Sequence, residues 1–215
     1  MAVPPLFSLK NKPLKTAHPW HGVSKGVAFP DIINVYIEIT PFDTVKYELD
    51  KESGLLKIDR PQKFSNLCPA LYGFVPQTYC GEGIANFCME KSGLTAIKGD
   101  ADPLDICVLS ERPIQNHNIL LQCIPIGGLR MVDKNEADDK IIAVLKDDLM
   151  YGHILDISEL PEAILQRLLH YFKTYKLDTK SQENKVLITD VYGASECKQV
   201  LQIASEDYQK EIAKQ

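Results

Sequence analysis

Within six residues the chain places three carboxylates, Asp100, Asp102 and Asp105, and runs straight on into the apolar stretch Ile106-Cys107-Val108-Leu109. Charge this dense at the entrance to a buried strand is costly unless something neutralises it. The segment therefore dictates a sheet whose strand opens from an acidic loop at the mouth of the fold. A bare D-x-D pattern is most often an ordinary solvated loop; here the hydrophobic strand pins it. Hard divalent cations suit such oxygens, and Mg²⁺ takes one or two carboxylates together with waters and phosphate oxygens. An EF-hand also begins D-x-D, but its sixth position requires Gly, and this chain has Asp105 there. Leu104 at the fifth position cannot coordinate, so that reading fails.

A second acidic cluster, Asp133-Lys134-Asn135-Glu136-Ala137-Asp138-Asp139-Lys140, leads into Ile141-Ile142-Ala143-Val144. It reads as a tight polar connection between two strands. Asp138 and Lys140 are two apart, so they point the same way on entering the strand. Alone this is a charged hairpin tip. A third group comes from the strict alternation over residues 45–50, with Lys46, Glu48 and Asp50 on one face and Val45, Tyr47 and Leu49 on the other. A return strand then delivers Arg60; an exposed ion-paired face would look the same. The fourth is Tyr175-Lys176 at a helix end, where a lysine also complements the helix dipole.

The remaining pattern is mixed. Residues 35–39, 106–109, 119–124, 141–145 and 186–191 read as short strands with turn signals between them, which fits an antiparallel barrel. Two helices follow. Pro161 suits a first turn, with Ile164, Leu165, Leu168, Phe172 and Tyr175 at helical spacing. Ser195 is placed to cap the second, whose stripe is Val200, Leu201, Ala204, Tyr208 and Ile212. Residues 1–30 read as an irregular arm. Residues 77–98, with Gly81, Gly83 and Gly93 and no sustained period, read as a long inserted surface loop. Nothing divides the chain, so one α+β domain over residues 1–215 is expected.

Composition narrows the function. A net charge of -5 argues against broad binding to nucleic-acid backbones, although a local basic cluster still suits a small anion. No apolar run approaches the roughly 18 residues of a membrane span. Early prolines and lysines argue against a secretory signal, so a cytoplasmic setting is expected. The six cysteines form no CxxC pair and read as reduced thiols. His18 and His21 flank Pro19, which disfavours a helical metal pair.

Together these segments resemble the soluble family I inorganic pyrophosphatases, from about Ala17 to near the C-terminus. The matching pieces are His18-Pro19-Trp20-His21, residues 45–54, Asp59-Arg60, Tyr72-Gly73-Phe74, Asp100-Ala101-Asp102-Pro103-Leu104-Asp105, Asp133 with Asp138 and Lys140, and Tyr175-Lys176. The resemblance, rather than periodicity, implies a five-stranded OB-like antiparallel barrel flanked by two main helices. It implies Mg²⁺-dependent hydrolysis of pyrophosphate by a metal-activated water, in a homo-oligomer. Asp100, Asp105 and Asp138 are the implied ligands of the tightest metal, Asp105 touching a second and Asp133 with Asp138 a third. Glu48 is implied near a further metal, with Glu38 as a supporting acid. Asp102 is the implied base and, with Lys140, Arg60 and Tyr72, makes up the catalytic set. Lys46, Arg60, Tyr72, Lys140, Tyr175 and Lys176 are the implied holders of phosphate oxygens, with Lys185 a further candidate.

Two features depart from the family pattern. Where the family usually has Tyr-Pro-x-Asn-Tyr-Gly, this chain has Cys68-Pro69-Ala70-Leu71-Tyr72-Gly73. Nearly twenty residues are also inserted between Tyr72 and Asp100. Rival readings are an OB-barrel nucleic-acid binder, disfavoured by the acidic charge, and a non-catalytic divalent-cation or phosphate-binding relative.

Overall fold

The computed structural model describes residues 17–177 and 186–213. The apolar runs become β1 (Ile33–Ile39), β6 (Asp105–Leu109), β7 (Ile119–Asp133), β9 (Lys140–Leu145) and β10 (Val186–Gly193). The alternating segment forms β2 (Val45–Leu49), which pairs with β3 (Leu56–Pro61) as a separate hairpin and sets Lys46 opposite Arg60. Sequence pattern did not anticipate β4 (Leu71–Phe74), a short strand carrying a glycine. That glycine has a steric reason. A Cβ on Gly73 would lie 1.9 Å from the Tyr36 carbonyl oxygen, so only glycine lets β4 approach β1.

Five strands close a ring, in which β1 pairs with β4, β4 with β6, β6 with β9, β9 with β7, and β7 with β1. The expected barrel is there as a ring, but the sheet is mixed. Four seams are antiparallel and the β6–β9 seam is parallel, because β7 carries the chain back across the ring before β9 begins. Two short strands, β5 (Lys98–Gly99) and β8 (Glu136–Ala137), add a further parallel pair at the end of the sheet.

Both faces of the ring strands are covered, which is why β9 reads as a continuous apolar run rather than an alternation. Ile106, Val108, Ile141 and Ala143 join one core, and Cys107, Leu109, Ile142 and Val144 join the other. The first core includes α1 (Glu82–Ser92) and α3 (Ala194–Ile212); the second includes α2 (Glu162–Thr174). The described chain thus has three α-helices, not two. The third lies in the segment expected to be a loop. Its glycines bound the helix rather than break it: Gly81 is the N-cap and Gly93, at φ 71°, ends it in the left-handed region. Ile84, Ala85 and Cys88 are buried, so the insertion is packed and not a surface excursion.

Other expectations need adjustment. Ser195 lies inside α3; its N-cap is Gly193, and the Asp156 carboxylate accepts the Ala194 N–H instead, at 2.8 Å. Ile212 is exposed. The described part of the N-terminal arm forms turns, anchored where Trp20 Nε1 donates to the Thr78 carbonyl at 2.8 Å. Lys185 lies outside the described residues. All six cysteines are buried free thiols. Among the described residues no helix is long and apolar enough to cross a membrane.

Two large charged side chains, Arg130 and Lys140, sit wholly inside. Arg130 is fully buried on β7, donating to Glu196 Oε1 at 2.7 Å with Asp139 Oδ2 3.6 Å away. Phe87 of α1 and Tyr192 flank its guanidinium. Arg130→Met strands the Asp139 carboxylate, so urea denaturation should show a loss of about 3–5 kcal/mol. Adding Asp139→Leu to that variant should recover most of it.

Candidate active site

The acidic loop gets its shape from backbone as much as from side chains. Ala101 adopts φ 62°, a strained conformation for a residue with a Cβ, and it is held there from both sides. Its N–H donates to the Cys80 carbonyl at 3.1 Å, and Cys80 N–H donates to the Asp102 carbonyl at 2.8 Å. Asp102 N–H also donates to Asp100 Oδ1 at 3.0 Å. The second acidic cluster is a two-residue hairpin turn. Lys134 (φ 51°) and Asn135 (φ 70°) take the left-handed geometry that tight hairpins require.

The parallel β6–β9 seam places Asp105 directly opposite Lys140. The buried Lys140 ammonium bridges the Asp105 and Asp138 carboxylates. Tyr72 Oη donates to Asp105 Oδ2 at 2.5 Å. Lys176, just beyond α2, reaches Asp133 Oδ2 at 2.6 Å and Asp138 Oδ2 at 3.7 Å. From β2, Lys46 reaches Glu48 at 3.2 Å and Asp59 at 2.9 Å.

These elements enclose a cleft of about 170 Å³. Ten of the fourteen residues singled out in the sequence line it: Lys46, Tyr72, Asp100, Asp102, Asp105, Asp133, Asp138, Lys140, Tyr175 and Lys176. Glu48 lines a smaller adjoining cleft of about 80 Å³, which shares Lys46, Tyr72, Asp102 and Asp105 with the first. Arg60 lines neither; it packs behind Lys46 on the hairpin, with a buried Nη1 that has no partner among the described residues.

Charge in the cleft is unbalanced. Burial would lower the Lys140 pKa, but Asp105 and Asp138 hold it well above its ordinary value. Lys176 is likewise held up, by Tyr175 and Asp138 against the effect of burial. Even so, burial and the neighbouring Asp138 and Asp105 push Asp100 up to about 8. Glu38, in the smaller cleft, is pushed up to about 8 by burial and by Asp105. Carboxylates raised by their own neighbours are short of positive charge.

The donor set is all hard oxygen, with no thiolate or imidazole lining the cleft, which fits a divalent cation of the Mg²⁺ type. Asp133 Oδ1 is buried without a hydrogen-bond partner among the described residues. No three acidic, His or Cys side chains there converge on one point, and the Lys140 ammonium stands between two of the carboxylates. A cation would take over carboxylates that lysine now bridges.

Residues 35–209 match the family model described as inorganic pyrophosphatase. The chain belongs to the inorganic pyrophosphatase family. It is 53% identical over 204 residues to the inorganic pyrophosphatase of Chlamydia trachomatis, covering 93% of this chain and 98% of that one. It is 37% identical to soluble inorganic pyrophosphatase 1 of Arabidopsis thaliana, covering 91% and 82%. The crystal structure of the Thermus thermophilus inorganic pyrophosphatase superposes with a TM-score of 0.75 at 27% identity, over 90% of this chain and 99% of that one. Membership of the pyrophosphatase family implies pyrophosphate as substrate and a divalent metal cofactor.

The two unusual residues of the motif before Tyr72 fall on opposite faces. Leu71 points into the apolar core with α3, away from the cleft, whereas Cys68 packs in the core beside Tyr171. Sequence reasoning missed three neighbours. Glu136 and Tyr171 line the cleft, and the Lys51 ammonium contacts the Asp102 carboxylate. The Tyr171 signal was available: it lies three residues after Leu168 and four before Tyr175, on the same helical stripe.

Glu38 gives a test of the charge imbalance in metal-free protein. Its folded pKa of about 8 lies above the 4.5 of the free group, so the stability it lends is complete below pH 4.5 and is lost as pH rises through 8. Glu38→Gln keeps an acceptor for the Leu49 N–H but cannot ionise. Thermal unfolding should therefore show the variant gaining on the unmodified protein as pH goes from 5 to 8.

Proposed function

We propose that this cleft carries out an Mg²⁺-dependent hydrolysis of inorganic pyrophosphate to two phosphates. The carrying observation is the convergence of five aspartates with Lys46, Lys140 and Lys176 in one small cleft of a pyrophosphatase fold. Pyrophosphate is a compact polyanion, so its attack by water needs neutralisation first. Asp100, Asp105 and Asp138 are the residues to hold the tightest cation, Asp133 with Asp138 another, and Glu48 stands near a further one. Bound Mg²⁺ supplies Lewis acidity to phosphoryl oxygens and acidifies water.

The chain's own groups do the rest. Asp102, at the tip of the strained loop, accepts the proton of the attacking water as the new O–P bond forms. Lys140, freed from bridging two carboxylates, turns its charge to a phosphate oxygen. Lys46, Lys176, Tyr72 and Tyr175 donate to the remaining oxygens, and Arg60 stabilises charge from the hairpin side. As the bridging O–P bond breaks, these donors hold the leaving phosphate in place. The bridging ion pairs thus keep the site ordered before substrate arrives.

The reading includes a cytoplasmic setting and a homo-oligomer, with no role for nucleic acid or membrane. Exposed Phe64, Leu149 and Met150 offer apolar surface for assembly, which sedimentation would detect.

Two measurements test the reaction. Phosphate release from pyrophosphate should stop on chelation and return with Mg²⁺; full activity in excess chelator would overturn the metal requirement. Asp102→Asn keeps the shape but cannot take a proton, so kcat should fall by about 10²–10⁴ with the fold intact. An unchanged rate at neutral pH would remove Asp102 from that role.

A further inference from the structure

A hydroxyl in the cleft lacks a hydrogen-bond partner among the described residues. Tyr171 is 7% exposed and lines the cleft between Phe172 and Tyr175. A tyrosine hydroxyl this buried normally finds a hydrogen-bond partner. The Tyr171 hydroxyl has none among the described residues, and it is not one of their sealed polar atoms, so it opens to the cleft. Its ring is fixed by an edge contact to Phe172 at 5.1 Å and by Tyr175 at 5.2 Å, so it cannot swing out to find one. Cys68, small and wholly buried, shares its core and leaves the ring room.

A second unpaired donor lies within its electrostatic reach. The Arg60 charge acts on Tyr171, and Arg60 Nη1 is itself buried without a partner among the described residues. Two donors, one open to the cleft and one buried, have no acceptor among the described residues, which suits an anion. Burial, then Cys68, pushes the Tyr171 hydroxyl well above its usual pKa, so it stays protonated and remains a donor. A residue present only to fill the core would do better as phenylalanine, which carries no hydroxyl to desolvate.

We propose that the Tyr171 hydroxyl donates a hydrogen bond to a phosphate oxygen of bound pyrophosphate, making Tyr171 a substrate-contacting residue on the α2 wall. The inference rests on the reading of this cleft as the pyrophosphate site. It adds a donor from the helix itself to those contributed by strands and by the turn after α2.

The test is Tyr171→Phe, which removes the hydroxyl and leaves no void. A hydrogen bond to a charged oxygen predicts a fall in kcat/KM for pyrophosphate of about 10- to 100-fold. Inorganic phosphate, titrated calorimetrically in the presence of Mg²⁺, should bind the variant more weakly. The Tm of the metal-free variant should hold, since the hydroxyl makes no hydrogen bond within the described protein; a hydroxyl with a structural partner would show a loss. Kinetics within twofold of the unmodified enzyme, with phosphate affinity unchanged, would overturn the inference. The unmodified enzyme is run in parallel: if it releases no phosphate, the reading of the cleft fails, whereas an active parent with an equally active variant sinks only the role of Tyr171.

Discussion

The pairing of Asp105 with Lys140 across the one parallel seam of the ring is the constraint on which the structure turns. Were β6 and β9 antiparallel, the acidic loop before β6 and the acidic hairpin before β9 would open at opposite ends of the ring. Parallel alignment brings both entrances to the same rim. The charges that would repel there are then bridged by a buried lysine, which costs desolvation and is tolerated because two carboxylates surround it. Fold closure and charge assembly are thus one event.

Strand alternation extends that logic to the reverse side. Asp138 and Lys140 face the cleft, so Asp139 between them must face away. There it meets Arg130, Tyr192 Oη at 3.0 Å and the first core. Burial pushes Asp139 up to about 6 despite Arg130. The inserted helix α1 reaches this same point through Phe87; of the residues flanking it, Cys80 is hydrogen-bonded to the acidic loop and Lys98 to the hairpin turn at Asn135. The segment therefore braces the site from behind, without lining the main cleft.

Much of this was legible in the residues. Strict alternation gave the hairpin with Lys46 opposite Arg60, and apolar runs located β1, β6, β9 and β10. The acidic clusters stood out because carboxylates beside buried strands are physically conspicuous. What stayed hidden depends on tertiary context. The β4 strand is four residues with a glycine whose purpose is the approach of β1. Helix α1 has too weak a stripe to show a period, and its glycines look like loop residues until they are seen as caps. Pattern cannot distinguish parallel from antiparallel seams, because β9 is apolar on both faces. Tyr171 reads as core on a helical wheel, and only the cleft shows that its hydroxyl has company. Arg60 was legible as a residue but not as one set behind the cleft wall.

Strand β7 has a further consequence for how the molecule comes into being. Its fifteen residues pair with β1 at one end and with β8 and β10 at the other, and with β9 between. Ile33 meets Cys123, and Gly127 meets both Ile142 and Gly193, so most seams join segments distant in sequence. Contacts of this kind reward the chain only after long loops have closed, which slows folding. A nascent chain that has emerged only through β6 has open strand edges and no ring to close. Until β7 leaves the ribosome, those edges are free to pair with a neighbouring chain, and that interval is when the protein is most prone to aggregate.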